Sequence, residues 1–217
     1  MRARYPDCER IVVRDGVEIR YERYGQGGTA LLLLPTWSIV PSRHWKMQVA
    51  YLARHFRMAA AVLVPPLAER RVQRFGEVLD DPVGWQTYNA RYWETHYPEF
   101  VTFFMGRIFT EPHSTKQIED AIGWALEIDG ETLAAAHLGL ECCDTAATRR
   151  LAARVACPVL VVHGSDDAVR GHAEGEALAS GTGGALVTLA GAGHFPHARD
   201  PVRVNLLIKQ FADGVRR

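Results

Sequence analysis

Two short apolar runs near the end of the chain constrain its fold most: PVLVV at residues 158–162 and ALVTL at residues 185–189. Each is too short for an ordinary helix and is bounded by turn residues, so each reads as a strand buried in a sheet. HAEGEALAS, between them, reads as a short helix, which gives the layering of an α/β domain. Each run stops at a turn rich in chemistry: His163-Gly164-Ser165-Asp166-Asp167 after the first, Gly191-Ala192-Gly193-His194 after the second. In open parallel sheets ligands bind at this strand edge, so an acid from one turn and an imidazole from the next can meet there. Such a pair orients a general base.

The remaining pattern agrees with that layering. IVV, the turn Asp15-Gly16 and the alternating VEIRYERY predict a β-hairpin with one wet face. Ala30 to Leu34 is continuously apolar, as a strand covered on both faces would be, and stops at Pro35. Trp45, Val49, Leu52 and Phe56 then recur at helical spacing. Met58 to Val64 predicts another strand, although its three alanines also tolerate a helix. Residues 84–110 carry Trp85, Tyr88, Tyr92, Trp93, Tyr97, Phe100, Phe103 and Phe104, which read as one or two amphipathic helices forming a core or lining an apolar pocket. Ser114 and Gln117 have the spacing of a capping box opening a helix through Ile128, and helical pattern follows to Leu140. His113 belongs to the start of that helix. A closing helix starts at Pro201. The expected organisation is a single domain over 1–217, with an N-terminal core (1–66), a helical insertion (67–156) and a C-terminal core (157–217).

With 217 residues and 47% hydrophobic content the chain can bury one sizeable core. Its 25 basic and 25 acidic residues cancel, so no long-range field favours nucleic acid or an anionic membrane, and a small neutral ligand or a protein partner fits better. No segment has the apolar length of a signal peptide or membrane helix, which predicts a cytoplasmic protein. Cys8, Cys142, Cys143 and Cys157 lack metal-site spacing and read as reduced structural thiols. His194 and His197 form an H-x-x-H pair without a carboxylate or cysteine at ligand spacing, so His197 reads as polar loop filling; neither a metal nor a cofactor is expected. The abundance of arginine and alanine is compatible with a GC-rich bacterial genome.

In its two C-terminal turns the chain resembles the α/β-hydrolase family, in which a G-x-x-D turn supplies the triad acid and a G-x-G-H turn the triad histidine. The matching residues are Asp167, with Asp166 beside it, and His194. The resemblance implies that Asp167 accepts a hydrogen bond from one ring nitrogen of His194, fixing its tautomer and stabilising the imidazolium. The early hairpin, the LLLLPTW strand end, a helical lid and the closing helix also follow the family's order, so nearly the whole chain is covered. The family's loop after this strand donates a backbone N–H to the oxyanion hole, a role that falls here to Thr36 or Trp37, with Ser38 beside them able to touch substrate. This chain has Pro35-Thr36 where many members have His-Gly.

The family's nucleophile sits on a strand-to-helix elbow written G-x-S-x-G, and no such motif occurs. None of Ser38, Ser42, Ser114, Ser165 and Ser180 has the small residues two positions to either side that the elbow needs, and Cys142-Cys143 gives no sharp turn. The chain passes from LARHFRM almost directly to AAAVLVPPL, as if four elements, roughly 60 residues, were deleted. Such a deletion shortens the mostly parallel sheet and exposes strand edges that invite self-association. The resemblance thus implies a hydrolase of small apolar esters or lactones, impaired for want of a nucleophile. The alternative is a non-catalytic descendant that binds a small ligand or a protein.

Overall fold

Alternating residues on either side of Gly16 build the expected hairpin, β1 (Cys8–Arg14) against β2 (Val17–Tyr24), in register from Cys8 opposite Arg23 to Arg14 opposite Val17, but Ile11, Val12 and Val13 are all exposed, so β1 is wet on both faces rather than one. The computed structural model describes residues 4–14, 16–33, 37, 39–60, 74–139 and 145–215; Asp15 of the expected turn lies outside them. The chain forms two compact units, Met1–Val64 with His197–Arg217, and Pro65–Pro196. The two apolar runs at 158–162 and 185–189 therefore group with the helical insertion, and the closing helix groups with the N-terminal strands.

In the first unit β3 (Ala30–Leu33) runs parallel to β4 (Arg57–Ala60), and β4 runs antiparallel to β2, giving the sheet order β1-β2-β4-β3. The alanine-rich run is a strand because both its neighbours offer backbone partners; its expected continuation to Val64 lies outside the described residues. Leu33 is buried but Leu32, which points to the opposite face of β3, is 61% exposed, so among the described residues only one face of β3 packs on the core rather than both. A 3-10 turn (Ser42–Trp45) leads into α1 (Lys46–Leu52), whose Val49 and Leu52 meet Tyr24, Leu33, Phe56 and Ala212 in one cluster. Ala212 belongs to α8 (Pro201–Gly214), which Asp200 caps by accepting the Arg203 N–H. His197 is buried, its Nε2 2.9 Å from Nδ1 of His44, while the Gln48 amide donates to the His197 carbonyl. Burial pushes His44 down to about 3, which keeps it neutral.

In the second unit the aromatic region is one long helix, α2 (Ala90–Ile108), opened by Asn89, whose side chain accepts the Tyr92 N–H. It bends at His96, two residues before Pro98, whose ring and missing donor disrupt the preceding turn. Trp93, Tyr97, Phe100 and Phe104 are buried, with Trp93 Nε1 donating to the Thr87 carbonyl and Tyr97 to the Ala125 carbonyl. They form a core with Phe75 and His137 rather than an open pocket lining. α3 (Thr115–Ala125) starts where expected, but Ser114 makes no side-chain cap. His113 takes a left-handed φ of 61°, Ser114 takes a near-helical conformation, and its hydroxyl donates back to the Glu111 carbonyl. α4 (Gly130–Gly139) follows, then α5 (Thr145–Ala152); Cys142 and Cys143 lie outside the described residues.

β5 (Leu160–Gly164), α6 (His172–Thr182) and β6 (Ala185–Leu189) form the expected strand, helix and parallel strand, in register from Leu160 opposite Ala185 to Gly164 opposite Leu189. α7 (Pro196–Arg199) is a single turn ahead of α8. Among the described residues the architecture is mixed α/β with short sheets, which is consistent with a shortened core. Among the described residues no helix is long and apolar enough to cross a membrane. Phe56 is completely buried in the first unit's core, so Phe56→Ala is expected to cost about 3–5 kcal/mol in urea denaturation; a loss below about 1 kcal/mol would mean the cluster is not a packed core.

Candidate active site

β5 and β6 end side by side because Gly164 pairs with Leu189, and the turns that follow them pack directly on each other. Gly164 has no room for a side chain: a Cβ there would lie 2.1 Å from the Ala192 carbonyl oxygen. The Asp166 N–H donates to that same carbonyl, and the Ser165 N–H donates to the Leu189 carbonyl. The Ser165 hydroxyl is spent inside the turn, donating to Asp166 at 2.6 Å and accepting the Gly191 N–H at 2.8 Å. Asp166 thus serves its own turn, and Asp167 is the acid that reaches the histidine.

His194 Nδ1 lies 2.7 Å from Asp167 Oδ2. Asp167 is only 4% exposed and His194 26%. The other carboxylate oxygen, Oδ1, accepts the backbone N–H groups of Val169 and Arg170, each at 2.8 Å. Burial by itself would raise the Asp167 carboxyl, but hydrogen bonds from His163 and His194 and from the Arg170 backbone outweigh it and hold the group well below the usual carboxylate range. An ionised acceptor fixes the proton of His194 on Nδ1 and leaves the Nε2 lone pair as the basic atom.

His163, at the end of β5, is the second histidine on this acid. Its Nε2 lies 3.3 Å from Asp167 Oδ2 and 3.1 Å from the Arg170 carbonyl oxygen. Both neighbours are acceptors, so Nε2 carries a proton. The hydrogen bond to Asp167 raises the His163 pKa against the opposing effect of burial, with Glu174 adding to the rise. The only signal in the sequence was its place at the end of an apolar strand four residues before the acid, easily read as core.

The backbone of the histidine turn is held by a different part of the unit. The His194 N–H donates to the Ile108 carbonyl at the end of α2, and the Gly193 N–H donates to Glu111 Oε1 at 2.9 Å. Gly193 is as crowded as Gly164, since a Cβ there would meet Ile108 O at 2.7 Å and Thr110 at 2.8 Å. Phe195 stacks beside the His194 ring and meets Phe109 edge-on. Glu111 was not singled out from sequence, because a carboxylate in a polar stretch gives no signal of what it will hold.

Of the remaining expected site residues, Thr36 and Ser38 lie outside the described residues, and Trp37 is half-buried in the first unit, its carbonyl accepting the Ile39 N–H. Among the described residues no group of three or more potential metal ligands gathers.

Solved structures match the fold of this chain over nearly their full length. An esterase from Thermogutta terrifontis superposes with a TM-score of 0.71 at 19% identity, covering 97% of this chain and 100% of its own. The chain has the α/β-hydrolase fold. An esterase from Rhodococcus sp. shares that fold at a TM-score of 0.70 and 16% identity, covering 96% of this chain and 98% of its own. An enol-lactonase from Burkholderia xenovorans does so at 0.65 and 16%, covering 93% and 99%. Comparison of the sequence with protein-family models and with curated proteins gives no match.

Because the folded carboxyl of Asp167 lies below its unfolded value of about 3.9, its contribution to stability is present above that pH and lost as pH falls through the folded value. Asp167→Asn is therefore expected to cost roughly 2–3 kcal/mol at neutral pH, with the gap from wild type closing in strong acid. Equilibrium unfolding at a series of pH values measures both; a gap independent of pH would show that the carboxylate is not ionised in the folded state.

Proposed function

We propose that this hydrolase-fold protein retains the acid and base of an ester-hydrolysing site, with His194 as the base and Asp167 as the group that orients it, and that its turnover is slow because no serine elbow supplies a nucleophile. The observation that carries this reading is the 2.7 Å contact between His194 Nδ1 and the nearly fully buried Asp167 carboxylate. With Nδ1–H committed to Asp167, Nε2 is left to take a proton from an attacking hydroxyl. In the absence of G-x-S-x-G that hydroxyl is water. Nε2 takes its proton as the oxygen attacks the carbonyl carbon; the resulting imidazolium, stabilised by Asp167, returns the proton to the leaving alkoxide, so an ester and water give an acid and an alcohol. The esterases and the enol-lactonase sharing the fold support small esters and lactones as the substrate class, and a chain without net charge suits an apolar, neutral substrate.

One observation favours a second reading, a non-catalytic module for a small apolar ligand or a protein partner: the sequence has a base and an acid but no elbow. The two separate on labelling with a fluorophosphonate probe and peptide mapping, run beside hydrolysis of a p-nitrophenyl ester and a simple lactone. The expected result is no stoichiometric serine adduct and a slow hydrolysis that falls about 100-fold or to background in His194→Ala. A single-serine adduct lost in His194→Ala would replace water with a serine nucleophile. Folded protein with no His194-dependent turnover would leave the ligand-binding module.

A further inference from the structure

Asp167 Oδ2 is the single atom on which two histidines converge. Oδ1 is committed to two backbone N–H groups, so neither ring can turn to it instead. His194 approaches Oδ2 through Nδ1 at 2.7 Å and His163 through Nε2 at 3.3 Å, which puts the two nitrogens within two hydrogen-bond lengths of each other. The His163 ring cannot swing away: its Nε2 is also held by the Arg170 carbonyl, and its other side lies against Gly175 of α6, where a Cβ would sit 2.6 Å from Nδ1. Its side chain is 12% exposed, so little water screens it from the carboxylate.

We propose that His163 is a positioning residue for His194: it shares the Asp167 oxygen that orients the base, so that a proton gained by one histidine opposes a proton on the other. The proposal deepens the reading of His194 as a base oriented by Asp167 and rests on it. Its chemical content is that His163 tunes how readily His194 accepts a proton. With His163 neutral, the full negative charge of Asp167 supports an imidazolium at His194. With His163 charged, part of that support is cancelled and His194 holds a proton less tightly. The groups that face His163 are Asp167 in its own turn, Arg170 in the same turn, whose guanidinium pairs with Glu174 at 3.1 Å, and His172 and Glu174 on α6. His172 stands edge-on at 5.5 Å with Glu176 near its Nδ1 and Thr188 of β6 on its Nε2, so the carboxylate shared with His194 is the closest charge to His163.

The test is an NMR titration of the imidazole nitrogens in the intact chain, with the two resonances assigned by difference in His163→Gln and His194→Gln. In the wild type the His194 signal is expected to titrate in two steps, the second following His163. In His163→Gln, which keeps an N–H donor but cannot charge, the His194 curve should collapse to one step with its midpoint raised by about half a unit to two units. A one-step wild-type curve, or a His194 midpoint unchanged in His163→Gln, overturns the proposal; the wild-type curve decides it even if the variant does not fold. Asp167→Asn separates this failure from that of the parent reading. If it lowers the His194 midpoint while His163→Gln does nothing, the base is oriented by Asp167 and His163 is only packed there; if it changes nothing at His194, both readings fall.

Discussion

A carboxylate taken almost wholly out of water must be hydrogen-bonded on every side or it will not stay ionised. Asp167 meets that demand with donors from separate parts of its unit: two backbone N–H groups of its own turn, His163 from the end of β5, and His194 from the turn after β6. Each donor in turn depends on the strands ending level. A shift of one residue between β5 and β6 would put Gly164 opposite Thr188 or Ala190 instead of Leu189 and move the Ala192 carbonyl off the Asp166 N–H.

The histidine turn has a second, independent support. While Asp167 fixes the His194 ring, the helical insertion fixes its backbone through the Ile108 carbonyl and Glu111. Gly193 marks the place where the two segments approach too closely for any side chain. The end of α2 is thus part of the site's scaffold, and the buried aromatic residues along α2 hold that end in place rather than offering a surface to substrate. The helical segment that ends α2 is tied, through Ile108 and Glu111, to the turn that carries His194.

Much of this was legible in the sequence. The apolar runs at 158–162 and 185–189 marked β5 and β6, although both strands are mostly half-buried rather than buried, and the likeness of their turns to those of the α/β-hydrolase family picked out Asp167 and His194. The hairpin and the helices at Trp45 to Phe56 and Pro201 onward were equally plain. The misses were tertiary. Leu32 reads as core from an apolar run, but exposure depends on which face of its strand packs on the core. Ser114 and Gln117 have capping-box spacing, yet a left-handed His113 turns the serine toward Glu111 instead. His163 and Glu111 act through partners 4 and 82 residues away, and in the second case no window along the sequence can register the contact.

The hydrogen bonds that orient a base are also those that make a buried acid tolerable, so the Asp167 cluster serves stability whether or not the chain turns over substrate. What distinguishes a working base from a satisfied ion pair is the atom that remains. His194 Nδ1 is committed to Asp167, and among the described residues Nε2 makes no hydrogen bond while the side chain stays 26% exposed. A base needs its second nitrogen within reach of solvent or substrate, and a histidine with a purely structural role can leave it so as well. On the reading proposed for this chain, whose sequence offers no serine elbow, water would be the hydroxyl that meets that nitrogen, with Asp167 holding the proton on the far side of the ring.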